Sequence, residues 1–188
     1  MKPQLEFGQN AKQLSQLSAS RARAEDIQLC PVAGSDRAAI ARLLLDPEQE
    51  QFAGSVDPIF DELQDSLHPD LEHPFAIVVR DETVGFFILR EKKAVPAWAP
   101  QDVVTLHSFR IGRARQGRGY GRAGTALAAA WVRQNRPDVT QLMLAVNTRN
   151  LVAKAVYLNC GFIDTGATYR GPIGQQNILS YIISRNSG

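Results

Sequence analysis

The chain has 188 residues, 44% of them hydrophobic and 21% charged, with a formal net charge of +2. That length suits one domain with a substantial core, and the near-neutral balance gives no ground for a nucleic-acid partner. No apolar run approaches the roughly 20 residues of a membrane span and no charged-then-apolar secretory pattern is present, so the expectation is a cytoplasmic protein without a membrane partner.

Residues 1–25 are rich in Gln, Ser and Ala with a weak helical pattern at Leu14 and Leu17. They read as an N-terminal extension, either a flexible tail or a helix docked on a partner, and residues 26–188 read as a single domain. Ile27, Leu29 and Val32 suggest a first strand that stops at Pro31. A helix follows, with Ser35 as its N-cap and Ala38, Ile40, Leu43, Leu44 and Leu45 as its apolar face. The two cysteines, Cys30 and Cys160, have neither metal-site nor redox spacing. They read as thiols in a reducing compartment, and no metal is expected.

Residues 46–74 are loop and helix, punctuated by Pro47, Pro58 and Pro69. The stretch is acidic, with nine Asp and Glu, and no Lys or Arg falls between Leu43 and Val79. Most of these carboxylates read as a solvated face. Residues 75–80 and 84–91 read as strands of a hairpin turning at Asp81-Glu82-Thr83. The next loop holds Trp98, which either packs over a site entrance or anchors the loop. Residues 103–111 read as a strand.

That strand runs into Arg113-Ala-Arg-Gln-Gly-Arg-Gly-Tyr-Gly-Arg-Ala-Gly124, followed by a helix-forming run over 122–134 with Ala123, Leu127, Ala130 and Trp131 on one face. A strand, a glycine-rich turn and a helix together can grip an anion. Glycines let the backbone turn tightly and let a ligand approach. Bare N–H groups and the positive helix end then point at phosphate oxygens. Between Val103 and Pro137 there is no acidic residue but seven arginines, a clustering that raises the local concentration of a polyanion.

Two phosphate ligands compete. Gly119, Gly121 and Gly124 match the dinucleotide fingerprint, which requires an acid at the end of the next strand. That strand, 142–146, ends instead in Asn147. No Gly-Lys-Ser/Thr follows the turn, so it is not a P-loop. The second reading takes Gln116-x-x-Gly119-x-Gly121 as the unit. Downstream the chain reads Leu142-Met-Leu-Ala-Val-Asn147-Thr-Arg-Asn150-Leu-Val-Ala153-Lys-Ala-Val-Tyr157-Leu-Asn-Cys-Gly161-Phe162. Residues 150 to 160 read as a helix stopped by Gly161, and 162–169 and 177–183 as the last two strands.

These two motifs, in this order, resemble the GNAT superfamily of N-acetyltransferases over roughly residues 26–184. The resemblance implies an α/β GNAT fold: a mixed, mostly antiparallel central sheet with splayed middle strands, flanked by helices. It implies an acetyl-CoA-dependent N-acetyltransferase. The Gln49-Glu-Gln-Phe52 region and the short acidic half look most like the diamine and polyamine acetyltransferases, with a primary amine of a small cationic molecule as acceptor. Acetylation of a protein or peptide amine, and a silent acyl-CoA-binding module, are the alternatives. Relatives often form homodimers; no residue here carries that expectation.

The resemblance also implies roles. Gln116, Gly117, Arg118, Gly119, Tyr120, Gly121 and Arg122 match the pyrophosphate loop, mostly through backbone N–H groups. A bulge around Ile111 would free an N–H for the acetyl oxygen. Asn150, Ala153 and Tyr157 share a helix face, with Asn150 as a pantetheine contact and Tyr157 as the acid that protonates the departing thiolate. His107 stands where many relatives carry a carboxylate, as a candidate base that takes the amine proton directly or through water. Asp57, Asp61 and Glu62 are the candidate acceptor contacts, because acidic groups attract a cationic amine.

Overall fold

The computed structural model describes residues 27–183; the extension over 1–25 lies outside the described residues. Seven strands form one sheet in the order β1-β2-β3-β4-β5-β7-β6. They are β1 (Ile27–Pro31), β2 (Glu72–Val79), β3 (Glu82–Glu91), β4 (Val104–Ile111), β5 (Gln141–Asn147), β6 (Ile163–Gly171) and β7 (Gly174–Ile182). Five α-helices flank the sheet: α1 (Arg37–Ala41), α2 (Pro47–Ala53), α3 (Val56–Gln64), α4 (Tyr120–Asn135) and α5 (Leu151–Asn159). The β4–β5 pair is parallel, joined by a crossover through the glycine turn and α4, and every other pairing is antiparallel.

Alternation along the strands sorts two cores. Phe75, Ile77, Phe87, Leu89, Leu106, Leu142 and Leu144 face α4 and α5. Ala76, Val78, Phe86 and Ile88 face the other way, onto α1 and α3 through Ile40, Val56 and Phe60. Trp98 packs on that second side against Val103, Met143 and Ile178, so it anchors its loop to the back of β5 and β7.

Helix α4 seats its smallest residues. Its buried stripe is Gly124, Thr125, Ala128, Ala129 and Val132, one residue out of phase with the face expected from Ala123, Leu127, Ala130 and Trp131. A Cβ on Gly124 would stand 2.4 Å from Ile77 Cδ1. Close approach of helix to sheet therefore decided the rotation, and the larger Leu127 and Trp131 moved to the flanks. At its far end, Arg136 Nε donates to Glu91 at 2.6 Å, and His73 lies 2.8 Å from the same carboxylate. Burial pushes the Glu91 pKa up, but Arg136 and His73 outweigh it and hold the carboxyl below its ordinary range. This buried cluster fixes α4, and the glycine turn sits roughly 24 Å away at the helix head.

Three local expectations shift. The β2–β3 turn is Arg80-Asp81, both left-handed with φ of 49° and 66°, rather than Asp81-Glu82-Thr83. Two consecutive left-handed residues give a two-residue turn that matches the strand twist. Ser35 does not cap α1: the Asp36 carboxylate accepts from Ala33 N–H at 2.8 Å. Of the apolar run, Ile40 and Leu43 are buried while Ala38 and Leu44 are exposed, because the helix ends at Ala41 ahead of Pro47.

Candidate active site

Strands β4 and β5 pair only at Val104–Leu142 and Thr105–Met143, and then part. The cause lies in β4. Ile88 faces His107 and Phe86 faces Arg110, so Ser108 and Phe109 together oppose the single residue Phe87. Ser108 takes a left-handed φ of 52°, a conformation that costs a non-glycine residue roughly 1–2 kcal/mol. Bulges of this kind bend a strand and re-aim its side chains. The bulge expected around Ile111 is therefore found three residues earlier. Ile111 itself is buried, and its carbonyl accepts from Gln116 Nε2 at 2.9 Å.

The glycine turn stands at one side of this opening. Gly117 and Gly119 are left-handed, with φ of 71° and 83°, and a Cβ on either would meet nothing within 4 Å. Gly119 is the N-cap of α4 and has no side chain to occupy the first-turn N–H groups. A Cβ on Gly121 would come no closer than 3.9 Å to Ile111, Val156 or Phe109. The protein's own packing thus does not require glycine there, and the space between α4, α5 and β4 is left to a ligand. Arg118 and Arg122 are exposed beside it, and Tyr120 is half-buried. The donor set fits a pyrophosphate: bare backbone N–H groups, a helix N-terminus and flanking guanidinium groups.

Asn150 and Tyr157 stand on the opposite side. Asn150 caps α5, its Oδ1 accepting from Ala153 N–H at 3.1 Å, so only its NH₂ group remains for a ligand. Tyr157 is half-buried, edge-on to Phe109 at 6.1 Å and to Phe162 at 5.7 Å between ring centroids. Phe109 in turn stacks on Phe87 at 5.8 Å. The bulge therefore aims an aromatic ring that holds the tyrosine against β4. Burial, and next the nearby Cys160, raise the Tyr157 pKa far above its ordinary value. The hydroxyl keeps its proton at neutral pH and can donate it.

His107 points to the other face of β4, where its Nε2 lies 2.7 Å from Thr105 Oγ1. Burial, and next the Arg90 guanidinium, push its pKa down to about 3. It is neutral at pH 7, and it is a weak base: a proton taken from an ammonium would not stay on it.

The candidate acceptor carboxylates do not converge on the opening. Asp57 and Asp61 are exposed on α3 and bind Arg37 at 2.7 and 2.8 Å. Glu62 is exposed and binds Arg90 at 2.9 Å. Each already has a protein cation, and exposed pairs of this kind are worth little energetically.

Sequence reasoning missed how α2 lies across the opening. Gln49 and Gln116 exchange amide hydrogen bonds. The Arg149 guanidinium, from the β5–α5 loop, stands over the Phe52 ring at 5.8 Å. Arg110, only 3% exposed, donates from Nη2 to the carbonyls of Ala53 and Gly54, both at 3.1 Å. Helix α2 is thus held to the glycine turn, β4 and the β5–α5 loop together. A buried arginine in the middle of a strand gives no sequence signal, because its partners are carbonyls 56 and 57 positions away. Among the described residues, no cluster of three His, Cys, Asp or Glu is placed to hold a metal, and no helix is long and apolar enough to cross a membrane.

With this geometry established, comparison with known proteins is informative. The family model described as Acetyltransferase (GNAT) family matches residues 34–162. The chain is 34% identical over 113 residues to the uncharacterized N-acetyltransferase YbbJ of Bacillus subtilis (strain 168), covering 59% of this chain and 71% of that protein. Among solved structures it is similar to AAC(6')-Ib in complex with ribostamycin and coenzyme A, with a TM-score of 0.71 and 16% identity over 87% of this chain and 98% of that one. It is similar also to spermidine N-acetyltransferase from Vibrio cholerae in complex with CoA and spermine, with a TM-score of 0.65 and 16% identity over 84% and 96% of the two chains. At such identities these structures establish the fold: a seven-stranded, mostly antiparallel sheet opened between its middle strands.

Proposed function

This chain belongs to the acetyltransferase (GNAT) family, and from that premise we propose that it transfers an acetyl group from acetyl-CoA to a primary amine of a small cationic acceptor, of the diamine or polyamine kind, by direct attack. When bound, acetyl-CoA supplies a thioester whose carbonyl carbon is open to a nitrogen nucleophile. The observation that carries the reading is the β4–β5 opening itself, with the bare glycines at the head of α4 on one side and Tyr157, set against Phe109, on the other.

The residues divide the work as follows. Backbone groups of Gln116, Gly117, Arg118, Gly119, Tyr120, Gly121 and Arg122 hold the pyrophosphate, with Arg118 and Arg122 adding charge. The Gln116 side chain is already engaged by Ile111 and Gln49, so its part is to shape the loop. The Asn150 NH₂ group holds the pantetheine arm. The bulge at Ser108 frees backbone donors in β4, near Ile111, for the acetyl oxygen as charge develops there. As the C–N bond forms and the C–S bond breaks, Tyr157 gives its proton to the departing sulfur. The acceptor's proton leaves through water, because His107 is too weak a base to keep it; His107 orders that water.

The cationic acceptor is supported by the excess of carboxylates on the α3 side of the molecule. Proteins of this fold named for aminoglycoside and for spermidine acetylation both take amine acceptors. The test is release of free coenzyme A across spermine, spermidine, diamines, amino acids and short peptides. Saturable turnover with a diamine or polyamine is the expected result. Turnover confined to peptides would overturn the acceptor class, and coenzyme A binding with no turnover on any amine would overturn the enzyme reading.

A further inference from the structure

A second cavity, of about 450 Å³, lies between the end of β1, α1, α3 and the start of β2. Its lining contains no residue of β4, β5, α4, α5 or the glycine turn, so a molecule seated in it would not touch the acetyl-transfer opening. The walls are apolar: Val32, Phe60, Leu63, Pro69 and Pro74. Glu72 is the acidic residue among them.

Glu72 is an unusual group to find there. Its side chain is 8% exposed, and one oxygen, Oε1, lies 2.7 Å from Arg90 Nε. The other oxygen, Oε2, is buried and accepts no hydrogen bond among the described residues. A buried carboxylate oxygen without a donor carries the full cost of its lost hydration. Arg90 cannot neutralise Glu72 alone, because it also binds Glu62 at 2.9 Å. Arg37, at the cavity's edge, is shared by Asp57 and Asp61. Two guanidinium groups therefore stand against four carboxylates, and the region holds two negative charges in excess. An excess of negative charge, a carboxylate oxygen lacking a donor and apolar walls together describe one kind of guest: a cation that donates from nitrogen and carries a short apolar body.

We propose that this cavity binds an alkylammonium ion through Glu72, as a site apart from the acetyl-transfer opening. The occupant's N–H group supplies the donor that Oε2 lacks, and its alkyl chain lies along Phe60 and Leu63. The site has a route to the reaction centre. Arg90, which contacts Glu72, also accepts at its backbone carbonyl from Thr105 Oγ1 at 3.4 Å, and that hydroxyl is 2.7 Å from His107. The site's existence does not depend on the acetyl-transfer reading, and a chain that turned over no amine would still bind the ion here.

The test uses the full chain and protonated N,N-dimethylbutylamine, which has one N–H to donate and forms no stable amide. Calorimetry gives its affinity, and nitrogen–proton correlation spectra locate it. Two variants probe the site. Glu72→Gln keeps the shape and removes the charge. Gly34→Phe fills the cavity from its rim, where a Cβ would meet nothing within 4 Å, and does not rely on Glu72. The expected results are at least tenfold weaker binding in Glu72→Gln, none detectable in Gly34→Phe, and amide shifts at Ala33, Gly34, Leu63 and Gln64. Affinity unchanged in both variants, no binding by the unmodified chain, or shifts confined to His107 through Gly112 and α5 would overturn the proposal.

Discussion

Gln116 and Gln49 are joined by two amide hydrogen bonds, of 2.9 and 3.2 Å, while the same Gln116 nitrogen also donates to the Ile111 carbonyl. The glycine turn is thereby tied both to β4 and to the helix that crosses the opening. A loop whose backbone must present several N–H groups at once loses affinity when it is free to wander. Replacing Gln49 with Ala removes both side-chain bonds to the turn and leaves the turn's own residues intact. The expected outcome is a three- to tenfold rise in the acetyl-CoA dissociation constant with little change in Tm, checked by calorimetry and thermal melting. Unaltered affinity would separate α2 from the cofactor loop.

Gly121 and Gly124 lie three positions apart on α4 and carry opposite demands. Gly124 has no room for a Cβ beside Ile77, whereas Gly121 has. Gly124→Ala should therefore cost roughly 1–3 kcal/mol of stability through overpacking, read as a lower denaturant midpoint. Gly121→Leu should melt near the parent temperature and fail to bind acetyl-CoA. If Gly121→Leu bound the cofactor normally, the space at the head of α4 would not be the pyrophosphate site.

His107 makes a prediction about pH. Its folded pKa, about 3, lies below the ordinary histidine value of 6.5. The unfolded chain therefore binds a proton here that the folded chain refuses. By linkage, its contribution is fully present above pH 6.5 and is lost as pH falls towards 3. His107→Gln should remove part of the acid loss of stability between pH 6.5 and 4, measured as urea midpoints at several pH values. The pH–rate profile of the unmodified enzyme between pH 6 and 8 should carry no inflection that His107→Gln abolishes. Such an inflection would make His107 a titrating base after all.

Much of this architecture was legible in the chain. Residues 142–146 form a continuous apolar run because β5 is covered on both faces. Gly161, at a φ of 99°, ends α5 where a left-handed residue was needed. The glycine turn and the Asn150-to-Tyr157 helix face were visible because their spacing is local. Long-range geometry was not. Ser108 shows nothing in sequence of its left-handed bulge, which exists only by pairing with β3. Nor do Asp57, Asp61 and Glu62 reveal that arginines 20, 24 and 28 positions away engage them. The phase of α4 was missed for a related reason: the sheet selects the residues that permit close approach, not those with the largest apolar surface.

Tyr157 is where the account is most exposed, since it joins the geometry of the opening to the chemistry proposed for it. The deciding measurement is the kcat of Tyr157→Phe beside its dissociation constant for acetyl-CoA. The substitution removes one hydroxyl and keeps the ring that packs on Phe109 and Phe162. General-acid catalysis contributes about 10²–10⁴-fold. The account predicts a fall in kcat of about 100-fold or more, with acetyl-CoA affinity within twofold of the parent. A kcat that stays within a fewfold of the parent, at unchanged affinity, would contradict it.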